Sequence, residues 1–293
     1  MVQSIDQALI TEFSGMVHHE AQQMTSKLKP YCIVKPMSGD VFAYDGLGTV
    51  EAREIQGRVQ KVTFDDIDHN RRKIARKRYA ITLPIDSSDV RGALLDPQGE
   101  YAKSVVAGMS RRLDKVIYDA ALADVLTGRD FENTVTAAND GVLTVDATAG
   151  LTYEKLLEIG ENFINNDVPF DMEGAMLTLT GSEHTALLQE SELTSGDFTR
   201  VLKTDDGVIK RGAGLDFVTF AANAAQPIIP VSGGQRALIS LAKGSMCLGI
   251  SKEMSVSVKE RDDYYETTQV QIIMEVGAVR TEGKLVQQVD VTA

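Results

Sequence analysis

Few residues in this chain are placed to do chemistry. His18-His19-Glu20 has the residue types of a metal site. Adjacent helical side chains point in different directions, however, and cannot converge as i and i+4 partners do. Asp66-Ile67-Asp68-His69-Asn70 copies the first half of a calcium loop. Such a loop needs Gly at its sixth position and a bidentate Glu at its twelfth. Arg71 and Lys77 stand there instead, which excludes calcium binding in that form. Gly212-Ala213-Gly214 lacks the third glycine and the following helix of a dinucleotide loop, and there is no Gly-Lys-Ser/Thr phosphate loop. His184 falls early in a predicted helix and reads as a surface residue or a cap. With four histidines and no nucleophile–base pair, the expectation is a protein that is not an enzyme, with no cofactor and no metal.

One cluster remains. Residues 69–78 hold six cations, Arg71, Arg72, Lys73, Arg76, Lys77 and Arg78, and no acid, in a chain whose net charge is -12. No aromatic residue for base stacking lies in 65–78, and an acidic chain is a poor general nucleic-acid binder. A basic stretch on an acidic protein suits docking onto an acidic surface, most simply that of an identical neighbour. These six are therefore the candidate intersubunit contacts.

The elements that carry them come next. Gln56–Phe64 and Arg76–Ile85 both suit extended structure, with a polar tip at 65–73 between them, so 48–86 reads as a long hairpin. Behind it Asp96 to Gly128 reads as one long helix, of which Gln98–Leu126 would span roughly 43 Å at about 1.5 Å per residue. Asp96 can cap it, Pro97 fits its first position, and Gly128 can close it in the left-handed conformation. Tyr101, Val105, Met109, Leu113 and Val116, continued by Ala120, fall on one face as its candidate core. Ser104, Arg111, Lys115 and Asp119 fall on another. Val270, Ile272, Met274 and Val276 alternate with polar or exposed positions and make the cleanest period-two pattern in the chain, so they are the expected partner of that stripe.

If the stripe and these strands meet, residues 141–238 are an insertion. That segment alternates strand, helix, strand, helix, strand. Val142–Val145, Ala175–Thr180 and Leu215–Phe220 are its strands. One helix follows Thr152, with Leu156, Leu157, Ile159 and Phe163 inward, and another covers Ser182–Gln189. Ser4–Leu28 reads as an amphipathic helical arm, and Cys32–Val34 and Val41–Ala43 as strands. At 43% hydrophobic and 25% charged the 293 residues have an ordinary globular composition. Met1–Leu28 is not a signal peptide, and no apolar run nears the roughly 18 residues of a membrane helix. Cys32 and Cys247 read as free thiols in a reducing compartment.

The order of these parts resembles the major capsid proteins of tailed bacteriophages with the Hong Kong 97-like fold, over essentially the whole chain. Local wording is similar to one phage capsid family as well: Ser26-Lys27-Leu28-Lys29-Pro30, Gly48-Thr49-Val50-Glu51-Ala52, and Asp96-Pro97-Gln98 followed by Tyr101-Ala102. Met109-Ser110-Arg111 with Asp114 and Ile117, Ser195-Gly196-Asp197-Phe198 and Gly277-Ala278-Val279-Arg280 continue the series.

The resemblance implies an α+β fold with these parts: an N-terminal arm (1–30), P-domain lead-in strands (31–47) and an extended hairpin or E-loop (48–86). Next come a P-domain with its spine helix (87–140, helix 97–127), an inserted A-domain (141–238) and C-terminal P-domain strands (239–293). It further implies a structural protein of the virion capsid, assembled in the host cytoplasm as pentamers and hexamers into an icosahedral head. That head would enclose double-stranded DNA without sequence-specific binding, and no membrane takes part. Its partners would be itself, a portal and a separate scaffolding protein. Three alternatives are an encapsulin-like nanocompartment shell of the same fold, a small-molecule enzyme built on 141–238, and a nucleic-acid binder working through Arg71–Arg78.

Overall fold

The computed structural model describes residues 23–52, 54, 64, 66–85, 97–169, 174–189, 202–205, 208–224, 226–261 and 267–293. The helix expected over Ser4–Leu28 lies outside them through residue 22 and is not helical over 23–28; the strand at 56–63 and the Asp96 cap also lie outside them. In chain order come β1 (Cys32–Pro36), β2 (Val41–Leu47), β3 (His69–Ala75), β4 (Lys77–Ile85) and the long helix α1 (Pro97–Leu122). The next elements are β5 (Val125–Thr127), β6 (Asn133–Val135), β7 (Leu143–Ala147), α2 (Tyr153–Asn165), β8 (Ala175–Leu179) and α3 (Gly181–Gln189). Then follow β9 (Leu202–Asp205), β10 (Val208–Gly212), β11 (Leu215–Thr219), β12 (Val231–Ser232) and β13 (Gln235–Ala242). The chain continues with β14 (Met246–Arg261), β15 (Thr267–Arg280) and β16 (Val286–Thr292).

These strands make three sheets. The first runs β1-β14-β15-β4, and α1 lies across it. Val105, Met109, Leu113 and Ile117 share one core with Ile272, Met274 and Val276. A strand with one buried face keeps its alternation strictly, since a one-residue slip would turn every apolar side chain to water. That is why the period-two stretch in β15 was visible. The helix is buried more broadly than a single stripe: Tyr118 and Ala121 are enclosed too, whereas Val116 and Ala120 are only half-buried. The Tyr118 hydroxyl donates to the Ala237 carbonyl at 2.6 Å, which ties α1 to β13 in the second sheet.

That second sheet follows the order β7-β16-β13-β8-β11-β10-β9, with β12 on β13. It corrects the expected boundary at 238, which would cut through β13. Strand β16 also belongs here, parallel to β7 and antiparallel to β13, and not with the strands beside α1. On α2, Leu156, Ile159 and Phe163 are buried as expected, but Leu157 is 49% exposed. Thr152 sits at the N-cap without a side-chain hydrogen bond. The stronger cap is on α3, where the Thr180 amide donates to Glu183 Oε2 at 2.8 Å and the Thr180 hydroxyl donates to the same carboxylate.

The third sheet, β2-β3-β5-β6, overturns two expectations. The helix stops at Leu122, because Val125–Thr127 leaves it to pair with β6 and to bridge β3. Gly128 does adopt a positive φ of 98°, but as the turn after β5. The expected tip at 65–73 is likewise in large part strand: β3 pairs with β2, Leu47 opposite His69 and Val41 opposite Ala75, while β4 pairs with β15 at an edge of the first sheet.

Candidate assembly interface

The basic run is therefore the inner half of the hairpin stem, not its tip. Alternation along β3 sends Arg72 and Ile74 inward and leaves Arg71 and Lys73 on the other face. Ile74 is fully buried over a floor made by Gly249 and Gly277, register partners in β14 and β15. A Cβ on Gly277 would lie 2.3 Å from the Ala75 carbonyl oxygen, so only glycine lets the stem approach this closely. Met37, Val125, Cys247 and Val279 close a small core around Ile74.

Arg72 is 3% exposed, which removes it from the candidate contacts. Its guanidinium grips Asp140 with two bonds of 2.7 and 2.6 Å. Arg280, also buried, donates Nε to the same carboxylate at 3.1 Å. Its Nη1 donates to the Ala121 and Ala123 carbonyls at 2.8 and 2.6 Å. Those carbonyls end α1, where acceptors lack helical partners and the helix carries partial negative charge. Burial pushes the Arg280 pKa down, and the Asp140 hydrogen bond opposes this. Gly283 permits the site: a Cβ there would stand 2.0 Å from the Asp140 carbonyl oxygen. One carboxylate thus fastens the hairpin stem, the end of α1 and the end of β15.

The other five cations divide. Arg71 forms an exposed fork with Asp45 at 2.6 and 3.2 Å, and this hydrogen bond holds the Asp45 carboxyl below the usual range. Arg76 donates to Glu275 at 2.8 Å and to Asp40, while Arg78 lies 3.6 Å from Glu275. Lys73 stands 5.8 Å from the centre of the Phe131 ring, and Lys77 is exposed. Beyond the stem, Glu51, Glu54, Phe64, Asp66, Ile67 and Asp68 are all exposed, Phe64 by 93%. Of the polar stretch read as the tip, the described residues Asp66 and Asp68 carry acid, and the basic residues begin in β3.

A second fastening escaped the sequence reading. Asp114, completely buried in the middle of α1, accepts the backbone N–H groups of Lys27 at 3.0 Å and Leu28 at 3.1 Å. The Ser26 hydroxyl donates at 2.5 Å, and the Gln23 amide joins them. Lys27 reaches past the site to the Thr219 carbonyl at 2.6 Å. Burial lowers its pKa, with Asp114 pulling the other way. The available signal was an acid directly after Leu113 and three residues before Ile117, inside the apolar run.

In the insertion, an open depression of about 650 Å³ is lined by Ser182, His184, Phe220 and Arg236. His184 Nε2 already accepts the Ile209 amide at 3.2 Å, and the Ser182 hydroxyl donates to Glu183 at 2.9 Å. Both side chains have structural duties there.

Residues 5–292 match a family model described as phage capsid protein. Among solved structures, the capsid of Cyanophage P-SCSP1u superposes with a TM-score of 0.71 at 12% identity, covering 100% of this chain and 95% of that one. The Mycobacterium phage Che8 structure gives 0.68 at 13%, covering 95% and 96%. The capsid of Helicobacter pylori bacteriophage KHP30 gives 0.66 at 10%, covering 98% and 96%. No curated protein matches the chain.

Proposed function

Since the chain belongs to the phage capsid protein family and is a structural component of the virion, we propose that it assembles as pentamers and hexamers into an icosahedral head around double-stranded DNA. The observation that carries this is the match of its whole length to a phage capsid subunit. A closed shell needs many copies of one heterologous contact, and a subunit with outlying parts fastened to a stiff body can supply them. The hairpin would reach one neighbour, with Arg71, Lys73, Arg76, Lys77 and Arg78 near its base. The unit containing β7 and β16 would turn toward the local symmetry axis. A net charge of -12 suits a container that must not grip its DNA, because phosphate binding needs cations. Assembly in the host cytoplasm with a portal and a separate scaffolding protein completes the proposal. Negative-stain microscopy of the purified protein tests it. Uniform hollow shells, or rings of five and six, are expected; a monomer under every assembly condition would overturn it.

A further inference from the structure

Residues 23–31 pass over α1 with no strand or α-helix of their own, only one 3-10 turn at Lys29–Tyr31. On α1 they hang from Asp114, and Arg111 donates Nη1 to the Gln23 carbonyl at 3.4 Å. On the second sheet their contacts gather at β11. Lys27 Nζ, bonded to the Thr219 carbonyl, stands 5.4 Å from the centre of the Phe220 ring. The Tyr31 hydroxyl donates to Asp216 Oδ2 at 3.5 Å, and burial, aided by that carboxylate, raises its pKa. The bonds of α1 itself reach this unit elsewhere. Tyr118 meets Ala237 on β13, and Lys115 donates to the Ile228 carbonyl at 3.1 Å. Strand β8 separates β13 from β11, so the arm bonds the sheet two strands beyond Tyr118.

One residue spans both supports. The Lys27 N–H donates to Asp114 Oδ2 at 3.0 Å while its ammonium holds Thr219. We infer that residues 23–31 form a strap with a seated and a lifted state, and that Lys27 passes that state to β11. Seated on Asp114, the strap pins β11 and, through the ladder, β10 and β9. Lifted, it withdraws the ammonium and lets that outer part of the sheet move. The strap is held chiefly by side-chain bonds and by fully buried Leu28, without a strand ladder, so it can open while the sheets stay folded. Thr219 and Phe220 also line the depression beside α3, whose β11 wall moves with them. The position of the arm is thereby read out in the insertion.

Hydrogen exchange on the full-length subunit tests this, read peptide by peptide at one pH. Lys27→Met cuts the tie to Thr219 and keeps the backbone bond to Asp114. It should speed exchange of β11 and β10 about tenfold or more, with residues 23–31 and β15 as in wild type. Asp114→Ala should speed both residues 23–31 and β11. Adding Lys27→Met to Asp114→Ala should change β11 no further, because one tie is cut twice. Lys27→Arg, which can still donate to Thr219 and cover Phe220, should keep β11 near wild type. Unchanged β11 exchange in Lys27→Met, β11 unmoved while Asp114→Ala opens residues 23–31, or additive effects in the double variant would each overturn the inference. So would equal acceleration in β11 and β15, the mark of general destabilisation. Should Asp114→Ala fail to fold, Lys27→Met and Lys27→Arg decide alone. The unassembled subunit carries the measurement, so absence of shells would overturn the shell reading and leave the strap standing.

Discussion

Two buried carboxylates fasten the outlying parts of this subunit, and they do so by opposite means. Asp114 holds the arm with uncharged donors, two backbone amides, a hydroxyl and a side-chain amide. Asp140 holds the hairpin stem with two guanidiniums, one of which also closes the end of α1. The arm passes directly over the helix, so its own amides are near enough to bond. At the stem, Arg72 and Arg280 reach one carboxylate from different elements, and their long forked side chains span that distance. The difference sets what each site tolerates. Neutral donors left without a carboxylate lose hydrogen bonds. Buried cations left without one keep their charge.

The severest test moves the acid by one residue. Leu113→Asp puts a carboxylate beside Asp114 but into the apolar core that Leu113 shares with Ile272 and Met274, and should yield no folded subunit by circular dichroism. Asp140→Ala comes next. It strands Arg72 and Arg280 in the interior and should cost about 3–5 kcal/mol in urea unfolding. Asp114→Ala should cost less, about 1–3 kcal/mol, and show chiefly as faster tryptic cleavage at Lys27. If the two losses were equal, the distinction between charged and neutral fastening would fail.

The smallest effect reads both sites at once. Cys32 follows the arm and its thiol is pushed up to about 12, mainly by burial; Cys247 in the stem core is pushed to about 11 for the same reason. An unfolded thiol ionises near 8.5, so above that pH the unfolded chain binds fewer protons and stability falls as pH rises, until the folded thiols ionise too. At pH 8 neither thiol should be alkylated in the native subunit. Asp114→Ala should expose Cys32 first, and Asp140→Ala should expose Cys247 first.

Much of the first sheet was legible because α1 and β15 each bury one face against the other, and burial imposes a period. The stem was misplaced for a physical reason. Six cations in ten residues look solvated, and nothing local announces that Arg72 has a buried acid 68 positions away. Strand β16 falls in 239–293, the segment expected to return beside α1, and its buried Val286, Val289 and Val291 mark a buried face without naming its partner. Of the six candidate contacts, Arg72 is buried on Asp140, while Arg71, Lys73, Arg76, Lys77 and Arg78 lie along β3 and the start of β4.

The strand order also bears on synthesis. β15 lies between β14 and β4, and β16 between β7 and β13, so the first and second sheets each take an inner strand from the last thirty residues or so of this sequence. At about 5–20 residues per second a ribosome needs roughly ten to thirty seconds to pass from β7 to β16. Through that interval α1 lacks its strand partner and Asp140 lacks Arg280. A nascent chain that has not reached β15 therefore holds an incomplete first sheet, and one that has not reached β16 an incomplete second.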